Sequence, residues 1–323
     1  MPGQGYSFVP LSDQVVRKHR PNASLDRVHR DCMGAVISVS YVALEPVHIG
    51  SGFWTIRGNH AIRGVVRSSV NPVIPGSSMK GVIRARYEAI TKSCAHQRAP
   101  SKRKLDDKLP SRTYHGYEVE FGRKVQEHSV FSNCSPTKMC SACALFGMMS
   151  QRGRVSVRDL VVAPGTDLAE EELPKRFSPR PHHLGVYARS KDSEDKLVVH
   201  TLHGRKFHTG DAPSSHLPAE RAEAIRTGTV ISGKITCTNV TEAEFGGLLS
   251  ALGIIPRTDL KIGAAKAYPF GRLALARLQV DVKKRPKNFD EDNFSDRVVA
   301  QFRASEDYWK DGERAIVEIF GRD

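Results

Sequence analysis

The feature that most limits the possible folds is a pattern that occurs twice in this chain. In each case an extended segment with one apolar face is followed by a helical pattern. In residues 34–44, Ile37, Val39 and Tyr41 face one side and serines the other, as in a strand with one buried face. Residues 79–90 then carry apolar side chains at helical spacing. A second strand, helix and strand span residues 228–284. This order predicts an α+β fold of a modified ferredoxin-like or RRM type.

The chain carries a formal net charge of +14 over 323 residues. Such an excess attracts an anionic partner, and nucleic acid is the first candidate. The alternative is a generally basic protein without a specific anionic partner. No run of 18 apolar residues occurs, and the first residues lack the apolar core of a secretory signal. The sequence therefore predicts a cytoplasmic protein with no membrane-spanning segment.

Three cysteines at the spacing Cys-x5-Cys-x2-Cys supply soft metal ligands, and the short arm is typical of zinc knuckles. They are Cys134, Cys140 and Cys143. A closed site needs a fourth ligand, for which Cys94 and His96 are the nearest candidates and His128 is a weaker third. The alternative is a set of ordinary buried thiols. A four-ligand site leaves no position for water, so the predicted zinc is structural.

Two small-residue segments are candidate phosphate sites. The first helix begins after Pro75 and Gly76 with Ser77 or Ser78 as the expected N-cap, and free backbone N–H groups at a helix start bind phosphate. Lys80 and Arg84 add charge nearby. The alternative is an ordinary capped helix with a solvated basic face.

The second phosphate candidate is residues 261–272 (KIGAAKAYPFGR). Its small residues permit close approach of the backbone to a phosphate, which Lys266 and Arg272 would neutralise. A tight turn between helix and strand is the alternative interpretation.

Residues 174–218 are rich in proline, glycine, cations and histidine, a composition that predicts an extended arm or hairpin. Cations beside rings suit contacts with splayed RNA bases. The candidate RNA contacts here are His182, His183, Arg205 and Lys206. The histidines could instead serve metal binding or acid–base chemistry, although no carboxylate lies close in sequence to the first two.

Three motifs occur in order: residues 74–84 (IPGSSMKGVIR), 140–147 (CSACALFG) and 263–272 (GAAKAYPFGR). Together they resemble the RAMP superfamily of CRISPR-associated proteins, specifically the repeated backbone subunit of type III and related effectors. The segment LHGRKFH at 202–208 is similar to a subgroup related to type III-D subunits. The resemblance implies a modified ferredoxin-like palm with a thumb-like hairpin insertion and a zinc-knuckle insertion.

On this resemblance we expect a single domain over residues 1–323. Its parts are an N-terminal arm (1–32), an RRM-like core (34–91 and 228–282), a basic and zinc-binding insertion (92–147), a thumb-like arm (174–218) and a C-terminal extension (283–323). For the extension, a helix packed on the body is favoured over a docking surface for a partner.

The resemblance also implies a subunit that binds crRNA, oligomerises with other copies along the guide, and presents it to complementary target RNA. The expected partners include a capping CRISPR subunit. In target-cleaving members an Asp in the loop before residue 74 supports metal-dependent cleavage. Here the loop-rich stretch 49–78 has no Asp or Glu, and Asn59 and His60 stand about where the acid is expected. Both are poor ligands for a hard cation.

We therefore predict no intrinsic cleavage and a separate partner nuclease, as in type VII systems. One alternative is an enzyme: a slicer using a carboxylate outside this loop, or a repeat-processing ribonuclease using His48 or His60. The other is a stand-alone zinc-containing RNA-binding protein.

Overall fold

The structure, a computed structural model, describes residues 5–95, 118–174, 185–189, 196–213, 220–287 and 289–322. Three predicted site residues, His96, His182 and His183, lie outside the described residues, as does most of the basic stretch 92–112. Strands predominate over helices in the described part, and the fold is of the mixed α+β class.

The described strands are β1 (Tyr6–Val9), β2 (Met33–Ala43), β3 (Gly50–Arg57), β4 (His60–Val65), β5 (Arg67–Ser68), β6 (Asn71–Ile74), β7 (Glu118–Phe121), β8 (Gly147–Met148), β9 (Gln151–Arg152), β10 (Val155–Val157), β11 (Leu160–Val162), β12 (Leu168–Leu173), β13 (Gly185–Arg189), β14 (Lys196–Leu202), β15 (Arg205–His208), β16 (Glu220–Ile225), β17 (Val230–Val240), β18 (Leu260–Lys261) and β19 (Arg272–Lys284). The described α-helices are α1 (Gly76–Ala89), α2 (Arg123–Gln126), α3 (Ser141–Phe146), α4 (Glu242–Ala251), α5 (Phe294–Ala304) and α6 (Lys310–Phe320). Short 3-10 helices span Pro21–Ala23 and Ser129–Phe131.

The largest sheet has the strand order β18-β19-β2-β17-β11-β6-β5, with β10 also paired to β17. Strand β2 lies at its centre and pairs antiparallel with both β17 and β19. Every second residue of β2 is buried, from Met33 to Ala43. The strand predicted from the alternating pattern is therefore confirmed.

Helices α1 and α4 share one hydrophobic cluster with this sheet, to which α1 contributes Met79 and Ile83 and α4 contributes Phe245. Their close approach requires a small residue, because a Cβ on Gly247 would lie 2.9 Å from the ring of Tyr87. The two strand-and-helix units predicted from the sequence thus pack together through their helices.

The C-terminal extension also packs on this core. Helices α5 and α6 bury Val298, Phe302, Ile316 and Phe320 in the same cluster. The prediction of a packed terminal helix is confirmed, with two helices in place of one.

The stretch 49–78 is not loop-rich, as the sequence analysis expected. It contains β3, β4, β5 and β6, and the first two form a hairpin at the edge of a second sheet ordered β12-β16-β4-β3. Gly52 and Gly58 have φ angles of 85° and 56°, so these glycines make local bends within the hairpin and its turn.

Residues 174–218, predicted as an arm or hairpin, contain two separate pairings in the described part of the chain. Strands β13 and β14 pair antiparallel, so a hairpin is present within residues 174–218. Strand β15, further along the same segment, pairs antiparallel with β1. The N-terminal segment is thus attached to the body, and Arg20 reinforces this with a bidentate pair to Asp307 at 2.6 and 2.9 Å.

Candidate functional site

Four cysteine thiols converge between the end of α1 and the start of α3. All four sulfur atoms lie within 4.8 Å of one another. They belong to Cys94, Cys134, Cys140 and Cys143. The Sγ atom of Cys94 is 3.5 Å from that of Cys143, 3.6 Å from that of Cys140 and 3.8 Å from that of Cys134. Tetrahedral zinc with bonds of about 2.3 Å separates its sulfurs by about 3.8 Å, so the set fits such an ion.

Of the three candidates for the fourth ligand, the structure describes Cys94 and His128. Cys94 joins the other three thiols, and His128 is not part of this cluster. The Nδ1 of His128 accepts a hydrogen bond from the backbone N–H of Val130 at 3.2 Å. Hydrogen bonds among the thiols shift their pKa values in opposite directions: that with Cys140 first lowers the pKa of Cys134, whereas that with Cys134 first raises the pKa of Cys94 and of Cys143.

Two predicted RNA-binding cations lie beside this cluster and form internal hydrogen bonds. Arg84 donates to Glu88 at 2.8 Å and to the carbonyl of Gly147 at 2.9 Å, and its guanidinium lies 3.9 Å from the sulfur of Cys143. Arg205 donates to the second oxygen of Glu88 at 3.0 Å and to the carbonyl of Cys94 at 2.9 Å. The carboxylate of Glu88, which no sequence motif marked, joins the two guanidinium groups.

An open groove with a volume of about 960 Å³ runs beside α1. Its lining includes three segments of different origin: the exposed face of α1, the small-residue loop 261–266, and strand β15. Several apolar side chains, among them Phe8, Phe121 and Phe131, complete the lining. Four predicted RNA-binding residues meet there, namely Ser78, Arg205, Lys206 and Lys266. The groove therefore joins the two phosphate candidates of the sequence with part of the predicted arm.

The start of α1 differs from the prediction. Ser77 and Ser78 lie inside the first turn, and neither is the N-cap, which is Pro75 without a side-chain hydrogen bond. The backbone N–H of Gly76 donates instead to Oδ1 of Asp159 at 2.7 Å. A Cβ at Gly76 would lie 2.1 Å from the carbonyl oxygen of Val157, so this turn requires glycine. A residue distant in sequence thus supplies the cap.

The loop that carries Lys266 is fixed by its backbone. Gly263 has a φ of 90° and Ala265 a φ of 54°. The N–H of Ala264 donates to the carbonyl of His48 at 2.9 Å, and a Cβ on Gly263 would approach that carbonyl to 2.6 Å. This backbone path places Lys266 on the groove wall.

The remaining predicted cations have distinct environments. Arg272 is held inside the body, where it donates to the carbonyl of Thr209 at 3.0 Å and lies 3.5 Å from Glu45. The ammonium of Lys206 lies 3.8 Å from the ring centre of Tyr6, and burial lowers the pKa of this lysine.

Lys80 lies in a cluster of like charges. Partial burial, and then the charges of Arg84 and Arg152, lower the pKa of Lys80. The local potential is therefore positive, which favours an anion near the first turns of α1.

The two histidines of the enzyme hypothesis lie apart from the thiol cluster. His48 is buried, and its Nδ1 is 2.6 Å from the carbonyl oxygen of Glu223. His60 is exposed, and its Nε2 is 3.0 Å from Oε1 of Glu170, which also accepts from Arg221 at 2.8 Å. Sequence reasoning missed Glu170 because it reaches the hairpin from β12.

A basic α+β protein with a cation-lined groove and a thiol cluster has the features of a nucleic-acid-binding protein. The family model of the RAMP superfamily matches residues 41–274, well over half of the chain. The chain therefore belongs to the RAMP superfamily and is a CRISPR-associated RAMP protein, which indicates a CRISPR-related RNA-binding function. No match was found among curated proteins. Among the described residues, no helix has the length and apolar character needed to cross a membrane.

Proposed function

We propose that this chain is a crRNA-binding backbone subunit that oligomerises along the guide and presents it for pairing with target RNA. The observation that carries the proposal is the groove where Ser78 of α1, Lys206 of β15 and Lys266 of the small-residue loop meet. Cations beside the first turns of α1, along one channel, suit a phosphate chain, which contributes most of the sequence-independent affinity for RNA.

The strand order β19-β2-β17-β11, with α1 and α4 packed together, supports the modified ferredoxin-like palm of our proposal. The β13–β14 hairpin supports the thumb-like insertion. In the assembly we propose, other copies of the chain and a capping CRISPR subunit contact this palm along the guide.

The thiol cluster supports a structural zinc ion in the same proposal. Cys94, Cys134, Cys140 and Cys143 would hold it, and four thiolates leave no open coordination position. The ion would fix the end of α1 against α3 and thereby fix one wall of the groove.

We further propose that the subunit does not cleave its target and that a separate nuclease does so. The support is chemical, because residues 49–78 contain no carboxylate for a hard catalytic cation.

The first test is to express the protein with a CRISPR array, purify it and sequence the RNA that accompanies it. We expect guide-length RNA, and no cleavage of a complementary labelled RNA in Mg²⁺ or Mn²⁺. Regularly spaced cuts would contradict the proposal that the subunit does not cleave its target. Purification without bound RNA would overturn the proposed binding function.

The second test locates the RNA on the groove. Lys266→Ala should weaken RNA binding and reduce the salt dependence of the affinity by about one phosphate contact. The matched control is Lys310→Ala, an exposed lysine at the start of α6 that does not line the groove. Equal effects of the two variants would exclude a specific contribution of the groove.

One observation favours a second candidate function, RNA cleavage by acid–base catalysis. His60 has a carboxylate partner in Glu170 and a neighbouring cation in Arg221, a set that suits proton transfer beside a phosphate. Cleavage of this kind would persist in EDTA and disappear in His60→Ala. Target RNA that stays intact with and without EDTA would exclude it.

A further inference from the structure

The β3–β4 hairpin exposes three large apolar side chains close together on an edge strand. Phe53 is 78% exposed, Trp54 is 57% exposed and Ile56 is 80% exposed. Rings so exposed at a sheet edge mark a binding surface or a risk of aggregation. A register shift between Gly50 and Trp54, together with the positive φ of Gly52, shapes the strand where the rings emerge.

A cation accompanies the indole ring. The guanidinium of Arg63, which pairs with Trp54 across the hairpin, lies 4.9 Å from the ring centre. The guanidinium, which also pairs with Glu220, thus covers one face of the ring, while more than half of the Trp54 side chain stays exposed. Aromatic rings beside arginine are typical of sites where unpaired bases stack.

The hairpin is continuous with the groove. Ile49 and Gly50, where the hairpin begins, are part of the groove lining. Its sheet also packs on the loop that carries Lys266, because Ala222 of β16 shares a hydrophobic cluster with Tyr268 and Phe270. Phe53 and Trp54 therefore lie three and four residues along the hairpin strand from Gly50 of the groove lining.

Charge distinguishes the possible occupants of this surface. The chain carries a net +14, and no residue between 49 and 78 is acidic. The hairpin arginines Arg63 and Arg57 pair with Glu220 and Glu223 of the same sheet, so the argument rests on the net charge of the chain. A second copy would bring a net charge of the same sign, whereas RNA would bring phosphates that this net charge attracts.

We propose that the Gly50–Val65 hairpin is a nucleobase-stacking site in which Phe53 and Trp54 bind unpaired bases of RNA that leaves the groove. The proposal rests on the proposed RNA-binding function and adds the base-contacting element to it. Stacking on rings tolerates every base, so the site would bind RNA without sequence preference.

Tryptophan fluorescence tests the contact directly. The chain has two tryptophans, Trp54 and Trp309, so Trp309→Phe leaves one reporter on the hairpin. Titration of this variant with single-stranded oligoadenylate should quench the emission, because a stacked adenine contacts the ring. An unchanged emission at saturating RNA would overturn the proposal.

Affinity provides the second readout. Phe53→Ala and Trp54→Ala should each weaken oligoadenylate binding about fivefold or more, the range expected for one lost stacking contact. Trp54→Phe keeps a ring and should restore most of the affinity. The matched control is Ile56→Ala, which removes an equally exposed apolar side chain without a ring and should change the affinity less than about twofold.

The salt dependence of RNA affinity distinguishes the stacking site from the proposed phosphate contacts in the groove. Loss of stacking leaves the salt dependence unchanged, whereas loss of Lys266 reduces it. Salt-dependent RNA binding that Trp54→Ala does not weaken would overturn the stacking site alone, and no RNA binding at all would overturn both proposals. If Trp54→Ala instead changes the oligomeric state of RNA-free protein in sedimentation, the rings form a protein interface and the stacking site is excluded.

Discussion

Helices α1 and α4 hold matching places in the two strand-and-helix units, yet they begin in different ways. At α4 the hydroxyl of Thr241 accepts the N–H of Glu244 at 3.2 Å, and the carboxylate of Glu244 accepts the N–H of Thr241 at 3.0 Å. This reciprocal capping box closes the helix start with its own residues. At α1 the cap comes from Asp159, distant in sequence, whose carboxylate accepts the backbone N–H of Gly76.

The surroundings of the two helix starts also differ: the start of α4 is buried, and the start of α1 borders the groove. Glu244 is buried and paired with Arg154 at 2.5 and 2.9 Å. In α1, Ser78 and Gly81 line the groove, and a Cβ on Gly81 would contact nothing within 4 Å. The comparison suggests that α4 serves stability alone, while α1 also offers its first turns to a ligand.

Loss of the proposed zinc ion should have the largest effect, because the thiol cluster lies at the far end of α1. We expect Cys140→Ser to lose bound zinc, to lower the free energy of unfolding by several kcal/mol and to abolish RNA binding, since zinc binding and folding are coupled. Elemental analysis and urea denaturation measure the first two effects.

The control for that variant is Cys237→Ala, because Cys237 is buried outside the cluster. It should keep the metal, with a smaller loss of stability. A Cys140→Ser protein that retains zinc, or loses it without loss of stability, would contradict the structural role.

The second largest effect should arise at α4. Glu244→Ala leaves Arg154 buried without its carboxylate, and such a change costs about 3–5 kcal/mol in unfolding free energy. Urea denaturation would measure it against Glu242→Ala, a partly exposed first-turn neighbour that should cost about 1 kcal/mol or less. Equal losses would contradict a special role for the buried pair.

The same carboxylate predicts a pH dependence. Burial raises the pKa of Glu244, but Arg154, the backbone N–H of Thr241 and Arg20 together outweigh burial, so the pKa in the folded protein is lowered. Its stabilising contribution is therefore present above the pKa in the unfolded chain and lost as pH falls through the lower pKa of the folded state. Glu244→Ala should show a weaker loss of stability in acid, measured by thermal unfolding across that range.

Local patterns predicted the parts of this fold that depend on local physics. Alternation gave β2, and the Cys-x5-Cys-x2-Cys spacing indicated a metal cluster whose fourth thiol, Cys94, was already a candidate. Motif order indicated the RAMP family. Each signal lies within a short segment, or in the order of segments, so it is visible without knowledge of tertiary contacts.

Apart from the loop-rich expectation for residues 49–78, the errors concern residues whose partners lie far away in sequence. Asp159 replaced the expected serine cap of α1, and Glu88 holds Arg84 and Arg205 beside the thiol cluster. Glu170 of β12 approaches His60 of β4 across the intervening strand β16. Net charge identifies an excess of cations, but it does not tell which of them the folded protein pairs internally.

A smaller effect on stability should distinguish the role of the α4 start from that of the α1 start. Thr241→Ala removes the side-chain cap of α4 and should cost about 1 kcal/mol of unfolding free energy, with RNA affinity unchanged because α4 lies outside the groove lining. Thr241→Ser, which keeps the hydroxyl, is the control and should restore most of the loss. A large loss of RNA affinity in Thr241→Ala at temperatures where it is fully folded would contradict the division of roles.

The smallest effect should appear at α1, where the cap is itself a negative charge. Asp159→Asn keeps an oxygen for the N–H of Gly76 and should change stability little, but it removes a charge that repels phosphate from the adjacent groove. RNA affinity should rise by about two- to threefold at low salt and return to the wild-type value as screening increases. The exposed Asp167→Asn is the control and should have no effect in binding titrations. A loss of affinity in Asp159→Asn would mean that the carboxylate positions the RNA site, and α1 would then resemble α4 in having a cap that serves structure first.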